Sequence, residues 1–522
     1  MRRFSFLLTV TLLALGAWIA LSAPGGTKEI TVAALRDKIE GGWAGQMIGV
    51  SYGAPTEFRY RERIIPEKEL PDWTPNKITN ALNQDDLYVD MTFAKVLDDK
   101  GLDATTDDFG AMFKDAKYAL WHANLAARRA LKRGVPAALA GTPKYNIHAN
   151  DIDFQIEADF IGLMAPGLPQ AANDIAWRAG RVMNYGDGIY GGMFVGCMYS
   201  AAFFETDPRR VVEAGLACIP AKSPYGLLIS DVLAWSKDTA DWIKLWTRVE
   251  EKWNKREPCP EGANAPFNID AKLNGAYIAI GLLYGKGDMG ETIRISTRCG
   301  QDSDCNPSSA AGILGVMVGY QKIDDHWKGG IPAIAGEKFR YTDFSFQTIV
   351  DSNMKRAIAL VQKTGGSLKG DKLTVKTQAP KAAKLELWDD YGSPVERLSA
   401  DNARWTFKGE WKTAEPNARR RIVRKVASAK GAEASISFEG TGAVIVGPYL
   451  PSGGKAEVWL DGKLDRVVDI YPDENNPKGG ESVWHAFGLK NGPHTLRLVV
   501  LGEPYPGSSG TDIGVDDLVV FR

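Results

Sequence analysis

Glycine and alanine recur inside segments that otherwise read as helix, and this constrains the fold more than any other feature. Examples are Gly41-Gly42-Trp43-Ala44-Gly45-Gln46-Met47-Ile48-Gly49, Gly191-Gly192-Met193-Phe194-Val195-Gly196 and Ser308-Ser309-Ala310-Ala311-Gly312-Ile313-Leu314-Gly315. Small side chains let helix axes approach closely, at some cost in helix propensity. The texture predicts a compact bundle with an all-α core. It runs from about Ile30 to Lys363, opening with apolar residues at helical spacing after the cap Thr31. Asp107 to Arg133, Val212 to Ile219, Asp231 to Trp253 and Phe346 to Gln362 read as further helix.

The texture changes near Thr364. Residues 364–384, with Gly365-Gly366-Ser367, several lysines and Pro380, read as a connector with room for one short strand. Residues 385–522 carry alternating strand patterns such as Ala434 to Phe438 and His494 to Val500, with turns at Asp461-Gly462 and Asn491-Gly492. They predict an all-β sandwich of jelly-roll type. A chain of 522 residues is too long for one core. The expected organisation is multidomain: an all-α bundle over residues 29–363, the connector, and the sandwich.

The N-terminus starts Met1-Arg2-Arg3, continues apolar from Phe4 to Leu21, and ends in Ser22-Ala23-Pro24. This reads as an export signal over residues 1–23, so the expected location is secreted or periplasmic. An uncleaved membrane anchor is the alternative, and only then is membrane contact expected. A net charge of -1 gives no support for a nucleic-acid partner. Five cysteines are few for an exported chain, and their odd number leaves at least one free or paired between chains. Their spacing is not that of a zinc site, so stability rests on the core.

The chemistry concentrates in three places. Cys299-Gly300-Gln301-Asp302-Ser303-Asp304-Cys305-Asn306-Pro307 sets two carboxylates one residue apart, ahead of a small-residue helix. Asn83-Gln84-Asp85-Asp86 precedes a second helix, with Asp90 one turn further on. A glycine-rich helix runs into Gly53-Ala54-Pro55-Thr56-Glu57. Crowded carboxylates suit a hard divalent cation. Acids and serines at helix starts also serve as caps and gain from the macrodipole without any metal.

Together the three elements resemble the ADP-ribosylglycohydrolase family, in order and spacing, over about Ile30 to Tyr320. The resemblance implies an all-α fold and hydrolysis of a glycosidic bond assisted by one or two Mg²⁺ or Mn²⁺ ions. By position it implies Asp85, Asp86, Asp302 and Asp304 as metal ligands, with Gln84 beside them. Glu57 becomes the acid/base or the residue that positions water, and Asp86 and Asp302 stand nearest the chemistry. Two departures stand out. Gln84 and Cys305 occupy positions where the family pattern keeps threonine, so one metal position is expected to be rebuilt, lost or taken by Ca²⁺. The family's nucleotide-contacting histidine has no counterpart; the matching region, Arg181 to Tyr190, offers Asn184 and Asp187 as substrate contacts.

Asp153 and Glu157 lie four residues apart in the polar stretch Asn150 to Phe160 and are read as further substrate contacts, with a capped, partly exposed helix as the alternative. His122 and His148 are read as structural. The C-terminal part resembles galactose-binding-like jelly rolls; in it Asp516-Asp517 reads as a turn before the last strand. The expectation is an exported, metal-dependent glycoside hydrolase acting on a ribosyl- or furanosyl-like or other glycan. The alternatives are an ADP-ribosyl-protein hydrolase, or an inactive glycan-binding protein.

Overall fold

A computed structural model describes residues 26–414, 423–472 and 479–522. The expected export signal, residues 1–23, lies outside the described residues. No helix among those described is long and apolar enough to cross a membrane.

The first part is helical, from α1 (Val32–Gly53) to the long closing helix Phe346–Lys363. Thr31 caps α1, its hydroxyl accepting the Ala34 N–H at 3.1 Å. α1 packs along the late helix Cys305–Val318, and the glycines explain how. Gly41, Gly45, Gly49 and Gly53 recur every fourth residue and form one stripe. A Cβ at these positions would overlap the carbonyl oxygens of Gly315, Ala311, Pro307 and Ser303 respectively. The two backbones therefore touch at four points over about three turns, in antiparallel order. The stripe delivers the Asp302–Asp304 turn to the end of α1, next to Glu57.

The connector is partly strand. Lys372–Lys376 pairs with Thr27–Thr31 on one side and Ser367–Lys369 on the other in a three-stranded antiparallel sheet, which ties the two ends of the helical part together. The span Asp107 to Arg133, read as continuous helix, breaks into Thr106–Asp115 and α2 (His122–Lys132). The break is held by a distant side chain. Asp153 accepts the N–H groups of Asn124 at 2.9 Å and Ala123 at 3.3 Å, capping α2 from outside the segment.

The second part holds two main antiparallel sheets. One orders Lys463–Asp469, Gly454–Leu460, Gly492–Pro504, Glu433–Gly440 and Thr406–Lys408; the other orders Gly479–Ala486, Gly442–Pro448, Asp517–Phe521 and Pro394–Ser399. Ile436, Val458 and Leu498 of the first meet Ile445, Leu518 and Val520 of the second in one core. The opposite face of the second sheet is also buried: Val444, Val446, Val519 and Phe521 pack on Ile147 and Ala263 of the helical part. Arg133 closes this junction by donating from Nε and Nη2 to Asp469, each at 2.6 Å, and from Nη2 to the Tyr471 carbonyl at 2.9 Å. The sandwich is docked against the helical part by a sheet face.

Candidate active site

A cavity of about 940 Å³ opens where α1 ends, lined on the helical side by Glu57, Gln84, Asp85, Asp153, Asp302 and Cys305. Two turns meet beside it. Phe58 donates its N–H to the Gln301 carbonyl, and Gln301 returns one to the Tyr60 carbonyl, both at 2.9 Å. The Thr56 and Ser303 hydroxyls meet at 2.8 Å. The turn between them needs left-handed backbone at Gly300 (φ 82°) and Gln301 (φ 52°). Glu57 stands exposed at the rim, on the residue that caps the short turn after α1.

Asp85 and Asp86 open the helix Asp85–Lys100 behind Gln84, whose own side chain makes no cap. Asp85 lines the cavity, while Asp86 and Asp304 are buried behind its wall. The Cys305 thiol lies between them, 3.1 Å from Asp86 Oδ1 and 3.8 Å from Asp304 Oδ1. Ligating atoms of Asp302, Asp304 and Cys305 fall within 4.8 Å of one another. All four aspartates are held above the usual carboxylate range. Burial is the largest cause, and mutual repulsion adds to it: Asp85 acts on Asp86, Asp304 on Asp302, and Asp86 on Asp304.

These residues fit a divalent cation. Asp86 Oδ2 and Asp302 Oδ1 are buried with no hydrogen-bond partner, which is costly for a carboxylate unless a cation or proton compensates. Carboxylates are the donors that hard ions prefer, whereas a thiol is not. Cys305 therefore reads better as a hydrogen-bond donor to Asp86 than as a ligand to such an ion.

The other expected contacts separate. Asp153 lines the cavity, though its oxygens are engaged by the start of α2. Glu157 is fully buried beneath it, bonded to the Asn124 side-chain amide. Asn184 and Asp187 do not reach the cavity wall. The Asn184 amide is spent on the Ala149 and Asp151 carbonyls at 3.0 and 2.9 Å and on the Phe154 N–H at 3.0 Å, so it splices loops. Asp187 is buried at the start of a helix, pushed up to about 7 by burial and opposed by nearby Lys272.

Several lining residues carried no signal of a site in the sequence. Trp121 and His122 come from the start of α2, and Phe267 stacks on His122 with ring centres 5.5 Å apart. Arg397, Ser399, Asp401 and Asp517 come from the sandwich. Asp517 is not a turn residue: it begins the last strand and pairs with Arg397 at 2.8 Å, and its neighbour Asp516 holds Arg424 at 2.7 and 2.9 Å. His148, read as structural, bonds Asp151 at 2.6 Å.

The chain belongs to the ADP-ribosylglycohydrolase family, whose sequence pattern matches residues 31–353. It is also similar to an A type blood alpha-D-galactosamine galactosaminidase of Flavonifractor plautii, 25% identical over 202 residues. That match spans 35% of this chain and only 17% of the length of the relative. Among solved structures, an ADP-ribosylglycohydrolase-related protein complex superposes with a TM-score of 0.39 and 16% identity, over 62% of this chain and 98% of that one. A carbohydrate-binding module, CBM36, in complex with calcium and xylotriose gives 0.18 and 13%, over 24% of this chain and all of its own.

Proposed function

We propose that the protein is an exported glycoside hydrolase that uses a divalent cation, Mg²⁺ or Mn²⁺, and acts on a glycan rather than on ADP-ribosylated protein. The observation that carries this reading is the convergence of Glu57, Asp85 and Asp302 on one open cavity, with Asp86 and Asp304 buried behind its wall. A bound cation would supply Lewis-acid polarisation of a sugar oxygen and a more acidic bound water. Asp85, Asp86, Asp302 and Asp304 would hold it, with Gln84 at the cavity edge.

The chain's own groups divide the remaining work. Glu57, exposed and facing the buried acids, takes a proton from the attacking water or positions it. Thr56 and Ser303 lock the Glu57 turn to the Asp302 turn, fixing the carboxylates relative to one another. Phe58, Phe267 and His122 offer ring faces on which a pyranose or furanose lies. The resemblance of the second part to sugar-binding jelly rolls and the disulfide Cys197–Cys218 support export to an oxidising compartment holding glycans.

The test is hydrolysis of a panel of furanosides, pyranosides including α-N-acetylgalactosaminides and galactosaminides, and ADP-ribosyl-arginine and ADP-ribosyl-serine, with Mg²⁺, Mn²⁺, Ca²⁺ or chelator. Glycan turnover lost on chelation is the expected result. Turnover confined to ADP-ribosyl substrates, or unaffected by chelation, would refute the reading.

A further inference from the structure

A second cavity, of about 630 Å³, adjoins the first and shares Trp121, His122 and Glu261 with it. The two have opposite character. The first is lined by seven carboxylates against two arginines. The second is lined by Lys114, Lys117, Arg128, Lys132 and Arg340 against Asp115, Glu261 and Glu481. Three of these cations are not paired with an acid. Lys114, Lys117 and Arg340 meet no acid at ion-pair distance among the described residues.

The wall between the cavities is aromatic and open to solvent. Trp121 is 38% exposed and Tyr341 45%. Tyr341 packs edge-on against Tyr88 of the first cavity, with ring centres 5.2 Å apart, and tilts against Tyr118 at 5.9 Å. Large aromatic faces left in water beside a polar rim mark a contact surface. Their apolar area suits the C–H face of a sugar ring, while cations nearby suit an anion carried on that ring.

We infer that the second cavity is a subsite for an acidic sugar, one bearing a carboxylate or a sulfate, placed next to the residue whose glycosidic bond is cut in the first. The inference rests on the proposed glycosidase reading and extends it, by naming an acidic glycan as the substrate class. Trp121 and Tyr341 receive the ring; Lys114, Lys117 and Arg340 receive the charge.

The test is binding to the full chain, independent of turnover. Calorimetric titration would use D-glucuronate and D-glucose 6-sulfate, with D-glucose as neutral comparison and ADP-ribose as nucleotide comparison. The two acidic sugars would separate carboxylate from sulfate as the preferred anion. The acidic sugars are expected to bind and glucose not. Neutralising these cations with Lys114→Gln, Lys117→Gln and Arg340→Gln together would weaken binding at least about tenfold. Trp121→Ala would weaken it separately, with no change in its dependence on salt. Equal binding of glucose, tighter binding of ADP-ribose than of either acidic sugar, or an unaltered triple variant would overturn the inference. If glycans are hydrolysed but acidic sugars do not bind, this subsite is refuted and the glycosidase reading stands. If acidic sugars bind as described but no glycan is hydrolysed, the glycosidase reading fails and the binding site remains.

Discussion

Gly49→Ala isolates the glycine stripe from ordinary helix propensity. In a solvent-exposed helix this change would stabilise the protein by about 1 kcal/mol. Here the new methyl group would stand 2.6 Å from the Ser308 nitrogen and closer still to the Pro307 carbonyl, where ordinary contact begins at 3.4 Å. Both neighbours are helix backbone and cannot rotate away, so the helices must part by about 1 Å. Overpacking of this kind costs about 1–3 kcal/mol, occasionally more. The steric cost outweighs the propensity gain, and the expected net loss is about 1–2 kcal/mol. A second effect follows from position. Pro307 lies three residues beyond Asp304, so the shift moves the acidic turn relative to Glu57. Misplacement of that size costs about 100-fold in turnover. Urea denaturation and kcat/KM on the best panel substrate read the two effects, and Gly336→Ala serves as control. A methyl group at Gly336 meets nothing within 4 Å, and that variant should stay within about 0.5 kcal/mol of the parent. A Gly49→Ala protein as stable and as active as the control would show that the close helix contact does not position the site.

Asp302→Asn should lower turnover by about 10³-fold or more. It should also remove most of the thermal stabilisation that Mn²⁺ gives the parent, about 2.7 kcal/mol at a hundred times Kd; an unchanged shift would exclude Asp302 as a ligand. His485 tests the domain junction. Burial and the neighbouring Arg466 cation hold it down to about 3 from the ordinary 6.5, against the opposing pull of its hydrogen bond to the Pro143 carbonyl at 2.7 Å. Because its folded value is depressed, the stability it contributes is complete above about pH 6.5 and is lost as pH falls towards 3. The loss reaches at most about 5 kcal/mol, and His485→Gln should flatten this part of the stability–pH profile. The Cys197–Cys218 bridge spans 21 residues, and Cys197→Ser with Cys218→Ser should cost about 3 kcal/mol, read by denaturation with and without reductant.

What was legible in the sequence was short in range. Glu57, Asp85-Asp86 and Asp302-Ser303-Asp304 each sit on a local pattern of cap, turn and small-residue helix, and their resemblance to the family in order and spacing drew them together. The four-residue spacing of Gly41, Gly45, Gly49 and Gly53 was present in the sequence too, and it specifies a single contact stripe rather than general compactness. The start of α2 was not legible, because its cap is Asp153, about 30 residues away in sequence. Trp121 and His122 owe their place in the cleft to that remote cap. The contribution of Arg397 and Asp517 depends on how the sandwich docks, and no local pattern encodes a face buried on both sides. Asn184 illustrates the converse: a polar residue in a family-matched segment, consumed by backbone carbonyls and so removed from the cleft.

The pairing of α1 with the helix Cys305–Val318 also dictates an order of events during folding. The hydrogen bond from the Ser308 hydroxyl to the Gln46 carbonyl joins residues 262 positions apart. α1 is made early, yet its glycine face has no partner until most of the helical part exists. Contacts of this span form slowly, because the ordering entropy comes before the contact energy. Through that interval the chain exposes a helix that is weak alone and apolar on several sides, a species prone to aggregate or to be held by a chaperone. The Asp302–Asp304 turn reaches Glu57 only when this pairing closes, so the site is assembled among the last events of folding.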